Sequence, residues 1–144
     1  MRVAAVLLCG AAAVAFPACS HPAKPVAVDA VPTAAAERCA RFAAKLPRSL
    51  GDGLSRRPTR PADPHVAAYG DPPIVVRCGA PASTVYQPGD QLFTVNGIGW
   101  FPEERADAVV WSLPRAFVNV SVTIPRHWSG DRLAPLTDAV RAMS

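Results

Sequence analysis

The sequence predicts an α+β domain with one disulfide, in which an antiparallel sheet of four to five strands carries an N-terminal and a C-terminal helix on one face. Three observations lead to this prediction. Residues 34–46 have a helical apolar period, Asn96-Gly97 separates two apolar runs, and residues 117–124 alternate with the period of a strand. Since one side of that strand is apolar and the other wetter, we expect the sheet to be covered on one side.

The first helix is predicted from Ala34 to Leu46, with Thr33 as a suitable N-cap and Pro47 as its end. One face of this helix carries Cys39, Phe42, Ala43 and Leu46. Residues 47–73 contain six prolines, so they predict a long surface connection with one short strand near 54–57.

The later elements are predicted from β-branched and aromatic runs bounded by turn residues. The predicted strands cover 74–78, 92–95, 98–101, 108–113 and 117–124. A closing helix is predicted over 132–143, where Leu133, Leu136, Val140 and Met143 have helical spacing. Pro135 is tolerated there only in the first turn.

The chain begins with a segment typical of export. Met1-Arg2 is followed by an uncharged run, 3–16, that is shorter than the roughly 20 residues needed to span a membrane. We therefore interpret residues 1–18 as a signal peptide. The whole chain has 144 residues, a net charge of +4 and 16 prolines, which indicates one small domain and excludes a polytopic membrane protein or a large enzyme.

Two processing sites compete at the end of this leader. Cys19, between Ala18 and Ser20, resembles the acylated cysteine of a lipobox. The alternative is cleavage after Ala15, which would give a secreted chain, and a third reading leaves the leader uncleaved. The first reading predicts lipidation at Cys19, a Pro/Ala-rich tether over 19–32 and a single domain over 33–144 on the outer face of the cell membrane.

Two cysteines remain once Cys9 leaves with the leader. Cys39 and Cys78 are an even pair in an oxidising compartment, so a disulfide is the default expectation. Two metal-binding thiolates, or a catalytic thiol at Cys78, remain as alternatives.

A family resemblance covers residues 39 to about 140. Cys39 with Leu46-Pro47, the Gly-Asp-Pro-Pro-Ile-Val-Val-Arg-Cys-Gly stretch at 70–79, Trp100 and residues 122–125 resemble a small exported actinobacterial family. That family is known only as a domain of unknown function, numbered three-five-one-five. The resemblance implies a secreted or membrane-attached protein and supports the pairing of the two cysteines, but it carries no activity. Tyr69 departs from the tryptophan expected before the turn.

The sequence contains no motif for catalysis, for a cofactor or for a metal site, so none is predicted. The function favoured by the sequence is a binding or accessory module at the cell envelope. Its expected partners are membrane lipid, through acylated Cys19, and an unknown envelope protein or small ligand. Nucleic acid is not expected, because there is neither a nucleic-acid fold signature nor a series of periodic aromatic residues.

Three residues are candidates for ligand binding. Asp71 precedes the predicted strand 74–78 and Arg77 lies near the end of that strand, so they either form an ion pair or leave Arg77 to bind an anion. Trp100 belongs either to the core or to an aromatic groove, as do Trp111 and Trp128.

Two further features keep an alternative interpretation. A hydrolase would use His127 as base, with Ser129 or Cys78 as nucleophile and Asp131 as orienter. A basic cluster, Arg56-Arg57 with Arg60, is either a solvated loop or a surface for acidic headgroups or wall polymers.

Overall fold

A computed structural model of the chain describes residues 22–32, 35–114, 116 and 118–144. The predicted signal peptide, Cys19, the predicted cap Thr33 and Phe117 lie outside the described residues. The described elements, in chain order, are β1 (Val26–Ala27), α1 (Ala36–Ala44), β2 (Arg56–Arg57), β3 (Thr59–Arg60), β4 (Val66–Tyr69), β5 (Ile74–Cys78), β6 (Phe93–Val95), β7 (Ile98–Glu104), β8 (Ala108–Ser112), β9 (Val120–Pro125), a 3-10 helix (Gly130–Leu136) and α2 (Thr137–Arg141).

The described residues form a seven-stranded sheet in the order β2-β4-β5-β9-β8-β7-β6. Every neighbouring pair in it is antiparallel, which confirms that part of the prediction. The expected size of four to five strands was wrong. A separate parallel pair, β1 with β3, lies beside this sheet.

Residues 47–73 were predicted to be a surface connection with one short strand near 54–57. β2 lies within that predicted strand, whereas β3 and β4 were not predicted. All four residues of β4 are buried, so its sequence, Val-Ala-Ala-Tyr, has no alternation to detect. β2 and β3 have two residues each and are separated by Pro58. Such short strands are paired by their tertiary neighbours, and a pattern of period two has no room to develop in them.

The helices also differ from the prediction. A strand precedes α1, so the first helix is not the N-terminal element, and α1 is shorter than residues 34–46. The closing helix begins as a 3-10 helix that contains Pro135 and is α-helical only over Thr137–Arg141. Proline lacks an amide hydrogen and its ring clashes with the carbonyl four residues earlier, which disfavours a regular α-helix before it.

The main core lies between one face of the sheet and the helical segments. Cys39 and Phe42 of α1 are buried with Leu133 and Leu136 of the 3-10 helix. Their partners from the strands include Tyr69, Ile74, Val76, Trp100, Val120, Val122 and Ile124. The predicted alternation is confirmed in β9, because Val120, Val122 and Ile124 all face this core.

Two local predictions are confirmed in the strands. Asn96 and Gly97 both have positive φ, 48° and 80°, and Val95 pairs with Ile98 across the β6–β7 turn. Gly70, in the segment most specific to the family resemblance, has φ of 68°. A Cβ atom on Gly70 would lie 2.1 Å from Leu54 Cδ2, so glycine is required at this turn for both conformation and space.

The predicted disulfide is confirmed. Cys39 of α1 is bonded to Cys78 of β5, and both side chains are buried. The bond therefore ties the first helix directly to a central strand of the sheet.

The second face of the sheet is covered in part by residues 26–32, here called the strap. Val26, Val28 and Val31 of the strap form an apolar cluster with Val66, Ala68 and Val75 of the sheet. The expectation of cover on one side only was therefore wrong. The segment was read as a tether because its apolar residues have no helical period, yet in an extended chain they reach a sheet face that is itself apolar.

Candidate functional site

A groove of about 640 Å³ opens on the second face of the sheet, beside the strap. One wall is the strap at 29–32, and another is the loop after β5, residues 80–84. The floor consists of side chains from β5, β7, β8 and β9. A concave site between a rigid sheet and two flanking segments is a common form of small-ligand site.

The register of the strands explains which side chains reach this groove. Arg77 of β5 pairs with Ser121 of β9, which pairs in turn with Ser112 of β8. Residues directly opposite each other on antiparallel strands point to the same face. Arg77, Ser121 and Ser112 therefore form a polar row across the floor of the groove.

Arg77 places a half-buried positive charge on the floor of the groove. Among the described residues, its side chain has no hydrogen bond and no ion-pair partner, and it is half-buried. Removing a charge from water without a partner is costly, so such a residue is seldom retained for stability. A guanidinium in this position is ready to receive an anion.

The groove contains three other charged residues. Glu103 accepts a hydrogen bond from Ser83 Oγ at 3.0 Å and forms an ion pair with Arg105. Its charge is thus already balanced within the groove wall. Asp29, on the strap, is exposed to solvent. The half-buried charge without a counter-ion is therefore that of Arg77.

Two buried polar atoms in the groove lack hydrogen-bond partners in the described part of the chain. Ser112 is only 3% exposed, and its Oγ is unpaired. Asn119 donates through Nδ2 to the carbonyls of Ala80 (3.0 Å) and Pro81 (2.8 Å), which leaves Oδ1 buried and unpaired. Unpaired buried groups of this kind cost roughly 1–3 kcal/mol each, so two of them at one groove are unusual.

The sequence prediction did not include Ser112 or Asn119. Alternation placed Asn119 and Ser121 on the polar side of the last strand, and this was the available signal. Their proximity to Arg77 depends on the strand order, which the pattern does not contain. The remaining groove lining is largely apolar and comes mainly from Val31, Pro32, Ala80, Pro81 and Val110.

The structure does not bring the three predicted ligand-binding residues together. Asp71 is exposed, and its carboxylate lies 3.7 Å from Arg57 Nη1 rather than beside Arg77. Trp100 is 0% exposed in the main core, on the opposite side of the sheet from the groove. Only Arg77 lies in the groove, so an aromatic contribution from Trp100 is excluded by its burial.

The residues considered for hydrolysis are not assembled in the structure. His127 is exposed and packs edge-on against Trp128, with ring centroids 4.4 Å apart. In the described part of the chain no hydrogen bond joins His127 to Ser129 or Asp131, and the Asp131 carboxylate lies 3.7 Å from Arg132 Nε. Cys78 is held in the disulfide and has no free thiol.

The described residues contain neither a metal-binding cluster nor a membrane-spanning helix. No group of three or more His, Cys, Asp or Glu side chains there is arranged to hold a metal ion. None of the helices there has both the length and the apolar character needed to cross a membrane.

Comparison with known proteins identifies the family. A family model described as a protein of unknown function (DUF3515) matches residues 1–144. The chain belongs to this family. The match extends over the whole chain, beyond the 39–140 region in which the resemblance is visible by eye. No curated protein and no solved structure matches the DUF3515 chain.

Proposed function

We propose that this DUF3515 protein is an exported, membrane-anchored lipoprotein whose domain binds a small organic anion at the outer face of the cell membrane. The observation that carries the binding proposal is Arg77, a half-buried cation without a partner among the described residues, on the floor of a groove. The anchor is supported by the short apolar leader that ends at Cys19.

The arrangement of groups suggests how such an anion would be held. The planar guanidinium of Arg77 matches a carboxylate or phosphate with two parallel hydrogen bonds. Asn119 Oδ1 can accept a hydrogen bond from the ligand, and Ser112 Oγ can donate or accept one. The apolar walls suit a ligand that carries a short hydrocarbon part beside its charged group.

Strand placement makes the site well suited to binding. Arg77, Ser112 and Ser121 belong to three adjacent strands, whose ladder restricts their relative positions. Arg77 also precedes Cys78, the residue that the disulfide ties to α1. The floor is thus preorganised, which lowers the entropy cost of binding.

The alternative is a secreted domain released by cleavage after Ala15, which would use the same groove. The two proposals differ only in whether the chain is attached to the membrane. In both of them, an envelope protein is a further proposed partner. No contact of His127 favours the hydrolase, so it is not proposed.

Intact-mass measurement of the native protein from the membrane fraction tests the anchor. We expect a chain that begins at Cys19 and carries the mass of a diacylglycerol and its accompanying acyl group. The Cys19→Ser chain is the control, and it should carry no added lipid mass. A native chain that begins at Phe16 without added mass would contradict the lipoprotein and support the secreted alternative.

Replacing Arg77 by glutamine is expected to weaken anion binding more than tenfold, because hydrogen bonds to a charged partner contribute about 1.5–3 kcal/mol. Titration calorimetry with hexanoate and hexyl phosphate would measure this loss, and 1-hexanol serves as the uncharged probe. Arg126→Gln is the matched control, since Arg126 is an arginine paired with Glu104 outside the groove lining. Equal affinity of both variants, or binding of hexanol as tight as that of the anions, would refute the role of Arg77.

A further inference from the structure

A cluster of unpaired cations lies at the β2 edge of the sheet. Lys24, Arg48, Arg56 and Arg60 are all exposed, and none of their side chains has an ion-pair or hydrogen-bond partner in the described part of the chain. These four residues are here called the cationic edge.

Backbone contacts bring the cationic edge together from three separate segments. The Arg56 amide donates to the Arg48 carbonyl at 2.8 Å. In the parallel pair of β1 and β3, Arg60 lies opposite Ala27, three residues after Lys24. The Lys24 carbonyl accepts a hydrogen bond of 2.7 Å from Arg57 Nη2.

The two acidic side chains near the cationic edge, Asp71 and Asp63, already have partners outside it. Asp71 lies beside Arg57, whose side chain is mostly buried and also donates to the Gly70 carbonyl at 2.8 Å. Asp63 accepts hydrogen bonds from the amides of Val31 and His65. Neither carboxylate is paired with a side chain of the cationic edge, so the four like charges there give this surface a positive potential.

The short sequence distance from Cys19 to Lys24 indicates that the cationic edge faces the membrane. Lys24 follows Cys19 by five residues, which span at most about 17 Å when fully extended. A chain acylated at Cys19 therefore keeps Lys24, the first residue of the cationic edge, within roughly two Debye lengths of the anchor at physiological salt. The opposite edge of the sheet, β6, is six strands away.

We propose that the cationic edge, formed by Lys24, Arg48, Arg56 and Arg60, binds the anionic headgroups of a lipid bilayer. The orientation argument rests on the anchor in the proposed function, whereas the surface itself can be tested without an acyl chain. A basic surface beside a lipid anchor supplies a second attachment signal and also orients the domain on the membrane. Each cation near an anionic surface increases partition about fivefold.

Vesicle cosedimentation tests the proposal with the mature chain from residue 19 carrying Cys19→Ser, so that no acyl chain contributes. We expect binding to vesicles of phosphatidylcholine with one quarter phosphatidylglycerol, little binding to phosphatidylcholine alone, and loss of binding at 0.5 M salt. The double change Arg56→Gln/Arg60→Gln should lower the partition coefficient about 25-fold. Lys24→Gln/Arg48→Gln is a second pair that should give a comparable loss.

The matched control is Arg126→Gln/Arg141→Gln, which removes the same net charge elsewhere. Arg141 donates to the Asn96 carbonyl at the β6–β7 turn, close to the opposite edge. An equal loss in this control would show that only net charge matters and would overturn the proposal. Binding to soluble polyaspartate as tight as to the vesicles would also overturn it, because the surface would then be a general polyanion site.

The outcomes separate this inference from the proposed function. An unmodified Cys19 together with selective vesicle binding would refute the lipid anchor and retain the cationic edge. If Cys19 is acylated but the edge and control variants lose vesicle binding equally, the anchor is retained and lipid binding by the cationic edge is refuted. The Arg77 titration depends on neither result.

Discussion

Replacing both Cys39 and Cys78 by alanine is expected to lower the free energy of unfolding by at least about 3–4 kcal/mol, which is the contribution of the lost cross-link. The bond closes a loop across a sequence separation of 39 residues, and cross-linking such a loop reduces the entropy of the unfolded chain. For a domain of this size the loss corresponds to roughly 10–15 °C in melting temperature. Urea unfolding of the double variant, followed by circular dichroism, would measure it.

A control is needed because alanine also removes buried volume. Cys78 Sγ lies 3.9 Å from Met143 Sδ, and Cys39 belongs to the same core. The wild-type chain reduced with dithiothreitol retains both sulfur atoms and loses only the cross-link, so the difference between it and the variant measures the packing loss. Two reactive thiols in a titration of the unreduced protein, or a destabilisation below about 1 kcal/mol, would contradict the prediction.

Replacing Asp63 by alanine is expected to cost about 2–3 kcal/mol and to release the strap. The Asp63 carboxylate accepts two backbone hydrogen bonds, from Val31 at 2.9 Å and from His65 at 2.8 Å. The first of these fastens the strap, and the second fastens the turn before β4. Hydrogen exchange at the amides of Val26, Val28 and Val31 should accelerate in the variant, because these amides hold the strap to 58–63.

A low pH should weaken the hydrogen bond by which the Asp63 carboxylate holds the strap at Val31. Burial raises the pKa of Asp63, but hydrogen bonds from the Val31 and His65 amides, with the adjacent His65 imidazole, outweigh it and hold the pKa below its ordinary value. A carboxyl whose folded pKa is lowered contributes stability that is complete above its unfolded pKa and is lost as the pH falls through the folded value. Protection of the strap should therefore be full above roughly pH 4 and should decrease below it.

Two variants separate the charge from the hydrogen bonds. Asp63→Asn keeps one acceptor oxygen, so it should be intermediate in stability and should lack the acid dependence contributed by Asp63. Asp107→Asn is the matched control, since Asp107 is an exposed aspartate without a side-chain partner among the described residues. Unchanged exchange of the strap amides in Asp63→Ala would show that the apolar contacts alone hold the strap.

The strap also bears on the groove, because residues 29–32 form one of its walls. Release of the strap is therefore expected to change binding at Arg77 although Asp63 does not line the groove. The segment predicted to be a tether thus forms part of the proposed binding site.

Sequence patterns predicted the structure correctly where the residues of one element were sufficient to define it. Asn96-Gly97 predicted a hairpin from backbone preference alone, and strand β9 was predicted from its alternation. Over residues 47–73 the prediction located only one short strand near 54–57, where β2 lies, and missed β3 and β4. β4 is buried on both faces, and β2 and β3 are too short for any period, so only their neighbours in the sheet make them strands.

The candidate site was predictable only in part. Arg77 is a candidate from the sequence because its guanidinium either pairs with Asp71 or binds an anion, and the structure places it in the groove. Trp100 was ambiguous, since a large aromatic residue suits a core and a ligand groove equally well. Asp71 lies beside Arg57 rather than Arg77, because β2 pairs with β4, and this strand order is not contained in the sequence pattern.

The sequence by itself determined the class of the fold, the central strands, the disulfide pair and the family. These features depend on residue types and on short spacings in the sequence. Side-chain sterics and the burial of apolar groups act on such local patterns directly. Only the tertiary structure decided the seven-strand order, the folding of the strap onto the sheet and the meeting of Arg77 with Ser112 and Asn119. Those features join residues that are far apart in the sequence, such as Val31 and Asp63 at a separation of 32 residues. Their stability comes from burial and hydrogen bonds that exist only after the chain has packed.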